Sequence, residues 1–187
     1  MLLLGSSFEN MPVLSLRTGT AVGKVIGHLI NPHKLCIDAM WCRMNGIRDA
    51  QLVMVRDIRE VSMKGVIVDD HEVAIDQSDA IRLQSIIDLA YDLVGKKVIS
   101  GRLPIGKVSD YAVEINSFTI QKLYASPGVL AKLKTTKLTI DRAQIIEVSQ
   151  KYVKVSDSRV PVRTLRKAVP RTQPSLSPSA SASTTSE

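Results

Sequence analysis

The sequence predicts a mainly β protein: two tandem small β-barrels joined by a short helical connector and followed by a disordered C-terminal tail. Three observations lead there. The stretch VGKVIGHLINPHKLCIDAMWC (Val22–Cys42) is echoed without a gap by IGKVSDYAVEINSFTIQKLYA (Ile105–Ala125), at an offset of 83. Within each copy, apolar and polar residues alternate with the period of a half-buried strand. Beyond about Pro161 large apolar side chains all but vanish and Ser, Thr, Pro and Ala take over.

The matched pairs are Gly23 with Gly106, Lys24 with Lys107, Val25 with Val108, Leu35 with Phe118, Ile37 with Ile120 and Trp41 with Tyr124. After a longer loop in the second copy the offset becomes 87, and IREVSMKGVIVDD (Ile58–Asp70) lies on IIEVSQKYVKVSD (Ile145–Asp157). Val13-Leu14-Ser15 likewise resembles Val98-Ile99-Ser100. Pieces matched in the same order identify an internal duplication. The copies span residues 10–78 and 93–160.

In the first copy Leu35, Ile37, Ala39 and Trp41 alternate with Cys36, Asp38, Met40 and Cys42. The first set is predicted inward, as are Phe118, Ile120 and Tyr124 in the second. Asn31-Pro32-His33 and Glu114-Ile115-Asn116-Ser117 are turn formers between two hydrophobic runs, so a hairpin joins them. Leu52–Val55 and Val66–Val68, with Lys137–Ile140 and Tyr152–Val155, supply the remaining strands. A short sheet buries its apolar face and removes its edges by curling into a barrel.

Between the copies, QSDAIRLQSIIDLAYDL (Gln77–Leu93) drops the β pattern. Ser78 or Asp79 can cap a helix, and Ile81, Leu83, Ile86, Ile87, Ala90 and Leu93 form an apolar stripe. A helical connector over residues 79–92 follows, packed on one or both barrels. Each copy has only about 70 residues, a size that supplies a marginal core alone, so mutual packing is expected. The tail, residues 161–187, cannot bury enough surface to offset chain entropy.

The net charge of +7 is unevenly placed. Residues 1–79 carry eight basic and ten acidic side chains, residues 80–158 twelve and seven, and residues 159–187 five and one. Only the second half is basic, without the dense stripe of a dedicated nucleic-acid binder. The opening Met1-Leu2-Leu3-Leu4 lacks the basic flank and length of an export signal, and no apolar run reaches the roughly 18 residues of a membrane span. With two cysteines only, the chain reads as cytoplasmic with reduced thiols.

Chemistry is hard to place. Gly19-Thr20-Ala21-Val22-Gly23-Lys24-Val25 has three residues between its glycines, Val where a phosphate loop needs Ser or Thr, and a strand rather than a helix next. It reads as a turn entering a strand. Cys36, Cys42, His28 and His33 suggest zinc, but the two cysteines, six apart on one strand, lie about 20 Å apart at about 3.3 Å per residue, too far to share an ion. The matching positions of the second copy are Thr119, Ala125, Tyr111 and Asn116. Asp69-Asp70-His71-Glu72 offers carboxylates beside an imidazole, but adjacent residues leaving a strand diverge, so a solvated turn is expected. No catalytic, cofactor-binding or metal residues are assigned.

The Gly-Lys-Val turn, the hairpin, DIREV or AQIIEVS, and a closing Val-x-Val strand together resemble the PRC-barrel family. That family includes the cytoplasmic domain of the reaction-centre H subunit and the C-terminal domain of the ribosome maturation factor RimM. The resemblance covers both copies and implies a small barrel used for assembly, with no catalytic residues to carry over. Neither a transmembrane helix like that of the first relative nor the N-terminal domain of the second is expected here, so neither function carries across directly.

Two functions follow as expectations. The first is a non-catalytic adaptor that binds an unknown protein partner, or a second copy of itself, through an outward apolar face: Ile26, Met40, Cys42 and Ile67. The second is RNA or ribosome association through Lys132, Lys134, Lys137, Arg166 and Lys167. The scarcity of aromatic residues for base stacking weighs against the second.

Overall fold

Each period-two run forms a strand, and the strands pair with one register in both copies. The computed structural model describes residues 1–127 and 138–156. Strand β1 (Leu2–Leu4) opens the chain. The first copy supplies β2 (Pro12–Ser15), β3 (Ala21–Asn31), β4 (Cys36–Met44), β5 (Gln51–Met54), β6 (Ile58–Ser62) and β7 (Gly65–Val68). A two-residue β8 (Ala74–Ile75) and helix α1 (Gln84–Asp88) lead to the second copy. That copy supplies β9 (Lys97–Ser100), β10 (Leu103–Glu114), β11 (Thr119–Pro127), β12 (Leu138–Asp141), β13 (Ile145–Val148) and β14 (Tyr152–Val155).

The main strands form one mixed, unclosed sheet in the order β13-β14-β9-β10-β11-β4-β3-β2-β7-β6, with β5, β12, β1 and β8 branching from it. The ladders repeat with the offsets read from the sequence. Val25 faces Cys42 as Val108 faces Ala125, and Ala39 faces Met54 as Lys122 faces Asp141. The parallel pair Val13–Val66 recurs as Val98–Val153. Among the described residues no ladder joins β5 to β6 or β12 to β13.

The shared glycine of Gly-Lys-Val serves this pairing. A Cβ on Gly23 would lie 2.7 Å from the Arg43 carbonyl oxygen, and one on Gly106 2.3 Å from that of Ser126. Both positions require glycine because one backbone lies on another.

Simple alternation misassigns β4. Its register against β3 steps from Ile37 to Ala39 opposite consecutive Ile30 and Leu29, leaving Asp38 as an extra, bulged residue. A one-residue slip moves all later side chains to the other face. Leu35 and Ile37 point into the main core as expected, but beyond the bulge Met40, Cys42 and Met44 do so, while Ala39 joins a second cluster with Leu29 and Leu52. Met40 and Cys42, expected outward, are therefore fully buried. The second copy repeats this at Gln121, so Leu123 and Ala125 are core and Tyr124 is not.

The connector is helical only in part. Two 3-10 turns, Gln77–Asp79 and Ile81–Leu83, precede the five-residue α1. Ala80, buried with ψ 46°, breaks the path before α1, and Ala90 ends it in the left-handed region at φ 43°. Ile81 of the predicted stripe is exposed, Ile87 packs with Leu29 and Leu52 of the first copy, and Leu93 enters the main core. The segment thus packs mainly on one copy. The expected tail over 161–187 lies outside the described residues.

Because Met40 is wholly enclosed, Met40→Ala is expected to lower stability by about 2–5 kcal/mol in urea denaturation. A loss below about 1 kcal/mol, the usual range for surface sites, would put the side chain outside the core.

Candidate functional site

The two copies meet through matched residues. Thr119 of β11 pairs with Cys36 of β4, positions related by the offset of 83. Ile37 N donates to Phe118 O at 2.9 Å, and Ile120 N donates to Leu35 O at 3.1 Å. This is the reciprocal contact of a two-fold dimer, made inside one chain. Leu35 and Phe118 both sit at φ 51°, a left-handed conformation unusual for large side chains, and both are buried. Their burial at the seam offsets a backbone cost of about 1–2 kcal/mol.

Arg142 breaks the symmetry, since Val55 stands at the matching position of the first copy. Its Nη1 donates to Leu35 O at 2.8 Å and Ile120 O at 3.0 Å, and its Nη2 to Lys34 O at 2.7 Å. One guanidinium thereby ties the second copy's strand and the first copy's turn together. It also forms one wall of a groove of about 370 Å³ between Pro32–Leu35 and β13.

A second contact on the same axis joins His28 of β3 to Tyr111 of β10, again 83 apart, at 2.7 Å between Nδ1 and Oη. A bulge at Ile26 turns His28 inward, where the edge of Phe8 meets its ring at 5.1 Å. The N-terminal segment closes the site. β1 pairs with β10, Ser6 donates from N and Oγ to Asp110, and Gly5 lies so flat on Tyr111 that a Cβ would stand 2.5 Å from the ring. A cavity of about 430 Å³ opens between these pieces, lined also by Glu9, Trp41, Tyr91 and Asp92.

Burial sets the electrostatics here. Desolvation lowers His28 from 6.5 to about 4, only partly opposed by Asp110, so the imidazole is neutral at neutral pH. Desolvation, then Asp110, Asp92 and Glu9, pushes the Tyr111 phenol up; burial and then Asp92 raise Tyr91 to about 12. His28 Nε2 and Tyr91 Oη are enclosed with no hydrogen-bond partner among the described residues.

The residues singled out from sequence are scattered. Ile26 is exposed at its bulge and lines the cavity, and Ile67 is half-buried on β7. Met40 and Cys42 are core, far from the surface role expected of them. Lys132, Lys134, Lys137, Arg166 and Lys167 lie outside the described residues. Burial raises the thiols of Cys36 and Cys42 to about 11 and about 12, leaving both protonated. The expected solvated turn holds a buried Asp70, which accepts from Ser15 Oγ at 2.9 Å and pairs with Arg17. Its neighbours His71 and Glu72 bring ligand atoms within 4.8 Å, yet Asp70 already has these protein partners. In comparisons with known proteins, no family model matches the chain and no curated protein matches it.

Sequence reasoning takes His28 only as a zinc candidate with Tyr111 at its matching position and misses that the two meet, although the repeat carried that signal. In a duplicated chain whose copies meet reciprocally, polar residues at matched inward positions face each other.

Two outcomes follow. Since the folded state holds His28 near 4 and the unfolded chain near 6.5, the unfolded state binds a proton first as pH falls. This contribution is absent above pH 6.5 and destabilises by about 3 kcal/mol once pH reaches 4. His28→Gln should lose that part of the slope; a pH-independent difference between variant and wild type in urea titrations refutes it. Arg142→Ala should cost about 1.5–3 kcal/mol, with Arg142→Lys recovering part, measured the same way.

Proposed function

We propose that each copy is a small PRC-type barrel and that the protein is a non-catalytic adaptor assembling with another protein. Several features support the barrel reading. Strands run β5-β4-β3-β2-β7-β6 in the first copy, and Val53 of β5, near one end of that run, shares a core with Val66 and Val68 of β7, near the other. A flat sheet cannot bring such strands onto one core; a curled one can. Among the residues both copies share, Gly23 and Gly106 serve backbone approach and Val25, Val108, Val66 and Val153 the core.

The observation that carries the adaptor reading is the state of the two end strands. Among the described residues β6 pairs only with β7 and β13 only with β14, leaving each an open outer edge. Met63, just after β6, and Ile146, on β13, are 77% and 61% exposed beside those edges. Open edges flanked by apolar side chains accept an added strand, with backbone hydrogen bonds supplying affinity. Ile67 on β7, opposite Glu60 of β6, adds a half-buried apolar side chain next to one of these strands.

The experiment is affinity capture by the full chain from native extract, with and without nuclease and across a salt series. A protein partner retained after nuclease, and reduced at least tenfold by Met63→Lys with Ile146→Lys, is the expected result. Retention lost to nuclease and falling steeply with salt would replace this reading with RNA association through the basic second half. Retention indifferent to the paired substitution would remove the edges as the docking surface.

A further inference from the structure

We propose that the outer edge of β12 is a docking site for the chain's own residues 159–163, which add a short strand there as β8 does on β5. This edge is neither of the two proposed to take a partner, so the inference stands apart from the adaptor reading.

The first copy is the template. β8 covers the outer edge of β5, with Leu52 opposite Ile75 and Val53 opposite Ala74. Ile75 packs on the cluster of Leu29, Ala39 and Leu52, while Val73 and Ala74 pack on the main core. β12 stands in the second copy where β5 stands in the first, since Lys122 faces Asp141 as Ala39 faces Met54. Among the described residues β12 pairs only with β11, which leaves its outer edge open. Thr139 is exposed there, whereas Leu52 at the matching position is fully buried. An open edge presents unpaired N–H and C=O groups, and a strand of the same chain reaches them at a high effective concentration.

The sequence supplies such a strand at the matching place. At the offset of 87 that carries β7 onto β14, Glu72-Val73-Ala74-Ile75-Asp76 falls on Arg159-Val160-Pro161-Val162-Arg163. Both stretches have charged ends and an apolar centre, and both place a β-branched residue at the first and third apolar positions, where strands favour one. In sheets proline is confined to outermost strands and bulges, and the added strand is outermost. The reach is equal as well. Six positions separate Val68, the end of β7, from Ala74, and six separate Val155, the end of β14, from Pro161.

The anchor at the start of this crossing is also repeated. In the first copy the chain leaves β7 through the buried Asp70, which accepts from Ser15 Oγ at 2.9 Å and pairs with Arg17. At the offset of 85 that carries β2 onto β9, Ser15 and Arg17 become Ser100 and Arg102, and Asp70 matches Asp157. Ser100 is buried like Ser15, and it stands beside Val155 as Ser15 stands beside Val68. The second copy therefore keeps both residues that hold Asp70, at the point where the chain leaves β14. A strand added there closes β12 to other molecules.

Nuclear magnetic resonance on the isotope-labelled full-length protein tests this. The expected result is nuclear Overhauser contact between Thr139 and Val162 and between Ile140 and Pro161, the counterparts of Leu52–Ile75 and Val53–Ala74, with extended carbon shifts at residues 160–162. These contacts should survive tenfold dilution. Val160→Asp with Val162→Asp should abolish them and speed exchange of the outward β12 amides at least tenfold. Random-coil shifts at 160–162 with no contact to β12 overturn the proposal, as does amide exchange of β12 that the double variant leaves unchanged. Contacts to β12 that arise between labelled and unlabelled chains and vanish on dilution overturn it too, because the occupant is then a second molecule. Should the double variant unfold, the wild-type contacts decide: their presence within one chain supports the site, and their absence refutes it.

Discussion

Two backbone hydrogen bonds, Ile37 to Phe118 and Ile120 to Leu35, set the arrangement of everything else. Because donors and acceptors are matched positions of a duplicated sequence, one bond implies the other, and the copies are related by an approximate two-fold axis. Residues near that axis then meet their own counterparts, as Cys36 meets Thr119 and His28 meets Tyr111. The left-handed backbone at Leu35 and Phe118 follows from the same geometry. The turn presents its carbonyl to the other copy while its side chain fills the shared core. A glycine there would relieve the backbone and forfeit the packing.

Duplication also explains where the chemistry collects. Away from the axis each copy uses its repeated residues for itself: Gly23 and Gly106 for close approach, Val66 and Val153 for core. At the axis the copies have diverged. Arg142 replaces the Val55 position, and a histidine faces a tyrosine rather than its own kind. The N-terminal segment breaks the symmetry further. β1 lies along β10 of the second copy, whereas the connector covers Leu29 at the corresponding stretch of β3. The cavity owes its shape to that asymmetric cover and its negative field to Glu9, Asp92 and Asp110, which come from three separate segments.

Much of the fold was legible from pattern. The strands, the hairpins and the pairing offsets of 83 and 87 can all be read along the chain, since a strand's period and a repeat's spacing are local properties. The faces of β4 and β11 could not be read past Asp38 and Gln121. A bulge is defined by the partner strand's register, and no residue of β4 alone announces it. So Met40 and Cys42 seemed outward, yet they enter the main core, while Ala39 is buried in the second cluster instead and Trp41 packs partly buried against it. The connector failed for a similar reason. Its stripe is helical in spacing, but Ala80 and Leu93 are drawn into two different cores, and five residues of α1 are what the divided pull leaves.

By itself the sequence determined that the protein is mainly β and that its strand pieces recur in one order at offsets of 83 and 87, because these depend on spacing and residue type along the chain. Tertiary structure alone decided which copy the N-terminal strand would join, that His28 would lie opposite Tyr111, and that three distant carboxylates would face one cavity. Those outcomes depend on how two similar surfaces dock, a comparison of energies between segments some eighty residues apart, and no local pattern carries it.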